Sequence, residues 1–334
     1  MSWNLLSKFR SELMGLACLW IMLHHNFFDW PTALEPLERF AKFGNLGVDV
    51  FLLLSGVGLY FAWQKKPKLG DFYARRLVRV LVPYVLFAVP YWVWRDLWLG
   101  QGSFLRDVTQ LSFPLNGVLT TWYIPAITVF YLCYPLIARF LFSGDRWSRT
   151  VVLCGCVMVL CLHLAYDRNQ IYRNCEIALT RSVIFILGCA LGKTVRDGRP
   201  IPKALPLLGL LFIMLNDSFR RHVSPGDVWI RFSYIPLTFS ALLVTCWVLE
   251  RLEGFMGLRK LLRFFGDRSL ELYLTHVVLR NVVLWYIPAN RWDPWGIAAY
   301  ALVLVLSLLV STLLHPAICN LCGVLLRPHR KESV

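Results

Sequence analysis

Ten apolar segments, each set off from the next by a short polar stretch, run through this sequence of 334 residues. They lie near 13–28, 45–63, 77–94, 118–141, 150–166, 177–195, 203–217, 229–249, 270–288 and 296–326. About 20 apolar residues let a helix cross a hydrocarbon core. In lipid every backbone N–H and C=O must bond within its own segment, so such segments are read as helices. The pattern predicts an all-α fold, a polytopic membrane helical bundle of about ten transmembrane helices, with residues 1–334 forming one integral-membrane domain. The first and seventh segments are short. The last is long and contains Pro316, so a kink or an interfacial run is expected there.

Charge supports this reading. Only 16% of the residues are charged and 57% are hydrophobic, unlike soluble domains. A net charge of +15 would suit nucleic acid in a soluble protein, but here the cations alternate between connections. With the N-terminus inside, inner connections hold Lys8, Arg10, Lys65, Lys66, Lys68, Arg75, Arg76, Arg79, Arg139, Arg146, Arg149, Lys203, Arg330 and Lys331, among others. They outnumber the outer ones, such as Arg39, Arg106 and Arg291, by about two to one, the positive-inside bias. The chain is therefore expected to be a multi-pass cell-membrane protein with both termini cytoplasmic, the bilayer as its surroundings and no nucleic-acid partner. Lys8 and Arg10 precede the first apolar run as in a secretory signal, but no small-x-small site follows, so an uncleaved span is expected. No connection is long enough for a soluble domain, and no repeat is visible. Most of the 10 cysteines lie within apolar runs. Cys319 and Cys322 have CxxC spacing but no second pair or nearby His, so neither a metal nor a disulfide framework is expected.

Chemistry is concentrated at a few polar positions. Leu13 to Leu23 carry no charge, and then His24 and His25 arrive together ahead of Phe27, Phe28, Asp29 and Trp30. Ionisable groups at membrane depth are costly and tend to mark function. Asp49, in G-N-L-G-V-D-V-F-L-L-L-S-G, enters the second span at a depth similar to that of His25. A carboxylate on one imidazole nitrogen would leave the other free as a base, so His25 is read as general base and Asp49 as its orienting group. The plain alternative is a His–Asp pair that only ties two helices together. His24 is rotated about 100° away and is the less critical neighbour.

On the inner side, F-Y-A-R-R-L-V-R-V-L-V-P-Y places Arg76 and Arg79 on one helical face with Arg75 offset. Guanidinium groups grip phosphate bidentately; the alternative is an anchor on anionic lipid. Trp122 and Tyr123 open the fourth span as expected interfacial aromatics, with a sugar platform near His25 as the second reading. Glu271, Tyr273 and His276 fall in the inner half of the ninth span, expected on the Arg76 side rather than the His25 side. His163 and His315 have no obvious carboxylate neighbour in sequence and are read as structural.

The ordered set of these motifs resembles the acyltransferase 3 family of integral-membrane O-acyltransferases: the first span ending in His25, G-x-x-G-V-D-V-F-L-x-L-S-G, F-Y-A-R-R-L-V-R-x-x-x-P and S-L-E-L-Y-L-T-H. The resemblance implies an acyl-CoA donor, acetyl-CoA first, bound from the cytoplasm, and an acceptor hydroxyl on a cell-envelope carbohydrate or glycolipid. It places the base at His25. The family commonly carries a cation ten residues ahead of that histidine, where this chain has Met14; Arg10, one turn earlier, is the candidate replacement, with Glu12 as the mark of a variant subgroup. Two rival readings are a transporter or flippase of a polar lipid or polysaccharide precursor, disfavoured by the missing repeat, and a sensory membrane module, disfavoured by the missing soluble domain.

Overall fold

The computed structural model describes residues 1–28, 30, 32–202, 204–221, 228–287 and 294–327. Asp29, Lys203, Arg291, Arg330 and Lys331 from the sequence reading lie outside the described residues. The longer helices, in chain order, are α1 (Arg10–His24), α2 (Leu46–Gln64), α3 (Leu69–Trp92), α4 (Tyr123–Phe142), α5 (Arg146–Tyr166), α6 (Ser182–Arg196), α7 (Ala204–Arg221), α8 (Val228–Arg251), α9 (Met256–Asp267), α10 (Ser269–Tyr286) and α11 (Pro294–Leu325). Each expected apolar segment contains one of these helices. The addition is α9, a short helix carrying Arg259, Lys260 and Arg263 between the eighth and ninth segments. The fold is thus an all-α polytopic bundle.

Among the described residues, 7 helices are long and apolar enough to cross a membrane by length and composition. The helices α1, α7, α9 and α10 do not qualify. At 15 residues, α1 reaches only about 22 Å, short of a hydrocarbon core of about 30 Å. It is also the helix that carries Glu12 and ends on the two histidines. The third segment starts earlier than expected, because α3 begins at Leu69 and carries Arg75, Arg76 and Arg79 within the helix itself.

Packing explains how so short a helix is held. Burial against lipid provides no hydrophobic drive between helices, so association depends on close backbone approach. Gly15 lies so close to α9 that a Cβ there would overlap the Leu262 carbonyl, and a Cβ at Gly266 would overlap the Ser11 carbonyl. Buried Glu12 completes this junction, accepting from Arg259 Nε and Nη2 at 3.2 and 3.1 Å and from Arg263 Nε at 2.8 Å. The helix α2 is buried along most of its length and packs most extensively on α6, where Gly56 and Gly188 let the two backbones meet. The segment between α3 and α4 is tied down by Arg95, which bonds Asp96 at 2.6 Å and Asp107 at 2.5 Å. Its Gln110 accepts from Thr121 at 2.7 Å, which fixes the start of α4.

Candidate active site

The last turn of α1 sets the centre. His25 is its C-cap, and its backbone carbonyl accepts from Arg280 Nε of α10 at 2.8 Å. The His25 side chain meets α10 as well: Nδ1 lies 2.8 Å from His276 Nε2, with the two rings nearly parallel and 5.1 Å apart. His276 Nδ1 lies 2.7 Å from the Leu272 carbonyl, which can only accept. Neutral imidazole has one donor and one acceptor nitrogen. His276 therefore donates from Nδ1, accepts at Nε2, and fixes the proton of His25 on Nδ1. The Nε2 lone pair of His25 is left free to act as a base.

This corrects two expectations. Asp49 does not serve as the partner of His25: its Oδ1 lies 3.1 Å from Arg181 Nε, a pair in which both side chains are 4% exposed. His276 is not on the Arg76 side but against His25. The group that orients the His25 ring is an imidazole anchored on a backbone carbonyl. His24 points elsewhere, with Nδ1 3.2 Å from the Ala41 carbonyl.

Below the histidine pair lies a cavity of about 730 Å³. Its end away from the histidines carries Arg10 from α1 with Arg76 and Arg79 from α3, and among the described residues no carboxylate lines it. The Nε atoms of Arg10 and Arg76 are buried without a hydrogen-bond partner. Its walls are apolar, with Met14, Ile21, Val48, Phe51, Val80, Ile127 and Leu270, interrupted by the hydroxyls of Ser55, Tyr123, Tyr131, Ser269 and Tyr273. Ile21 is one turn before His25, so the cavity ends close beneath the base. The ring of Tyr273 bridges the two regions, 5.6 Å from Tyr123 and 5.9 Å from His276.

The remaining expected residues fall as follows. Arg10 occupies the cationic end together with Arg76 and Arg79, whereas Arg75 is exposed and does not line the cavity. Trp122 is not an interfacial aromatic: it is buried, 5.6 Å under the Arg181 guanidinium. Tyr123 lines the cavity instead of an interfacial belt. Glu271 lies in a pocket with Arg10 and Arg79, whereas Tyr273 lines the cationic cavity and also reaches His276, so it is not confined to the Arg76 side. Both lone histidines have carboxylate partners. His163 faces Asp167 at 3.3 Å, one turn on, a spacing visible in the sequence. His315 Nδ1 lies 2.8 Å from Glu271 Oε2, a pairing between α10 and α11 that no local pattern signals. Cys319, expected to have no nearby histidine, lies 3.6 Å from His315 Nε2.

No curated protein and no solved structure matches this chain. Residues 13–315, from the first apolar run to His315, match the profile of the family described as "Acyltransferase domain", acyltransferase 3. This helical membrane bundle, with a histidine pair above a cationic cavity and a match over nearly its whole length, belongs to that acyltransferase family.

Proposed function

We propose that this membrane acyltransferase moves an acyl group, acetyl first, from cytoplasmic acyl-CoA to a hydroxyl of a cell-envelope carbohydrate or glycolipid, with His25 as general base. The observation that carries the reading is the cavity with three guanidinium groups and no carboxylate at its inner end. Cations clustered in a cavity wall that carries no carboxylate favour a polyanion, and guanidinium suits phosphate. From Arg10 to His25 is about 22 Å along α1, at 1.5 Å per residue. A donor whose phosphates sit at Arg10, Arg76 and Arg79 would need a long, mostly apolar arm to bring its reactive end under the histidines. The pantetheine thioester has that form.

In this scheme the acceptor hydroxyl hydrogen-bonds to His25 Nε2. As its oxygen attacks the thioester carbonyl, His25 takes the proton, and His276 keeps the ring oriented through Nδ1. The hydroxyls of Tyr123 and Tyr273, both on cavity-lining side chains, would donate to the carbonyl oxygen as negative charge develops on it, the role of oxyanion donors. Collapse of the tetrahedral intermediate breaks the carbon–sulfur bond, and the departing coenzyme A thiolate takes the proton from His25. The ester forms and the imidazole returns to its starting tautomer.

The test uses full-length protein in lipid nanodiscs with acetyl-CoA and a panel of sugar acceptors. Acceptor-dependent release of coenzyme A thiol is expected, lost in His25→Ala while coenzyme A binding persists. A folded His25→Ala protein with near-normal transfer, or a wild type that binds no coenzyme A, would refute the scheme.

A further inference from the structure

A second group of reactive side chains lies at the inner mouth, apart from His25. His315 and Cys319 are four residues apart on α11 and share a face. His315 Nδ1 lies 2.8 and 3.0 Å from the two oxygens of Glu271, on α10. His315 Nε2 lies 3.6 Å from Cys319 Sγ. The Glu271 carboxylate only accepts, so the His315 proton sits on Nδ1 and the Nε2 lone pair faces the thiol. This is a thiol–imidazole–carboxylate relay, the arrangement that activates a nucleophile. Glu271 and His315 are shielded, with side chains 7% and 21% exposed, while the Cys319 thiol is open.

The location matters as much as the geometry. All three residues line a vestibule of about 1210 Å³ that also includes Arg10 and Arg79. Those two guanidinium groups belong to both the vestibule and the cationic cavity. A thioester donor entering through this vestibule toward these cations would pass the thiol.

We propose that Cys319 is a nucleophile that accepts the acyl group from the thioester donor at this mouth, forming S-acyl-Cys319. This rests on the reading of the donor given above. Cys319 Sγ attacks the thioester carbonyl while its proton passes to His315 Nε2. The new Sγ–carbon bond forms, the carbon–sulfur bond to coenzyme A breaks, and the coenzyme A thiolate takes the proton from His315. One thioester replaces another, so no oxidant or further reactant is needed. Glu271 is a positioning residue that holds the His315 tautomer.

Full-length protein in nanodiscs is incubated with acetyl-CoA and no acceptor, then digested in acid and read by peptide mass spectrometry. The peptide containing Cys319 is expected to gain one acetyl group, removable by neutral hydroxylamine. Cys319→Ala loses the label. His315→Gln slows labelling by about 10²–10⁴-fold with acetyl-CoA binding retained, the range for a general base. Glu271→Gln slows labelling with acetyl-CoA binding retained, and Glu271→Asp recovers part of the rate. Exposed Cys133 and Cys156 serve as internal references that work even where a variant fails to fold. Binding of acetyl-CoA without acylation of Cys319, or acylation of Cys133 and Cys156 as fast as Cys319, would overturn the proposal alone. Absence of acetyl-CoA binding by the wild type would overturn it together with the donor reading.

Discussion

Two substitutions set the sequence-based expectation against the observed contacts: His276→Leu and Asp49→Asn. In His276→Leu, His25 Nδ1 loses its imidazole partner, 2.8 Å away. A neutral hydrogen bond contributes about 0.5–1.5 kcal/mol net, which is about two- to thirteen-fold in tautomer and rotamer bias. That is the floor for the loss in kcat. The ceiling is the whole contribution of a general base, about 10²–10⁴-fold. Binding of acyl-CoA should be unchanged, since His276 does not line the cationic cavity. His276→Gln should retain part of the rate, because its amide oxygen can accept from His25 Nδ1. Asp49→Asn should behave differently. It removes the charge facing Arg181 in a pair with both side chains 4% exposed; breaking such a pair costs about 3–5 kcal/mol of stability. Transfer rate per folded molecule and thermal unfolding, measured side by side in nanodiscs, separate the two roles. A folded Asp49→Asn protein with kcat lowered a hundredfold, beside a His276→Leu protein of normal kcat, would refute the tautomer argument.

Three further outcomes are expected. Arg10→Ala, Arg76→Ala and Arg79→Ala should each weaken coenzyme A binding by about ten- to a hundredfold, the loss of a charge-assisted contact of about 1.5–3 kcal/mol; Lys replacements should recover only part, and Arg75→Ala should match wild type by calorimetry. Gly266→Leu should force α9 away from the Ser11 carbonyl and lower thermal stability by about 1–3 kcal/mol or more, as overpacking does, while Gly257→Leu, at a position in open space, should have little effect. Asp145 caps α5 by accepting from the Ser148 amide at 2.7 Å, which holds its carboxyl below the ordinary carboxylate range. A depressed folded-state value means the cap stabilises above the unfolded value and is lost as pH falls through the folded one. Protection of the amides over 146–149, taken relative to their intrinsic exchange rates, should therefore fall in acid in the wild type and be equally low at neutral pH in Asp145→Ala.

Much of the fold was legible because lipid imposes a local rule. Each segment must satisfy its own backbone, so ten apolar stretches are enough to predict an all-helical bundle without reference to their neighbours. The motif residues were also identifiable one by one: charged and imidazole groups are conspicuous in apolar runs, and Arg76 and Arg79 declare a shared face through their spacing. The short helix α9 was missed because it is amphipathic and too polar to register as a span. The pair His163 and Asp167 was overlooked although its i,i+4 spacing was in view.

What tertiary structure alone decided is which polar group meets which. Depth along a helix follows from counting residues, and that count put Asp49 level with His25; rotation about the helix axis does not follow from it. The rotation is set by close contacts such as Gly15 on α9 and Gly56 on α6. These turn Asp49 to Arg181 and bring His276, 251 residues distant in sequence, to His25. The same packing joins Glu271 to His315 across 44 residues, and gathers Arg10 with Arg76 and Arg79 around one cavity. The sequence determines the helices and the chemistry each one carries, because those depend on local solvation. Partnership between helices depends on the angles at which they pack, and only the assembled bundle contains those.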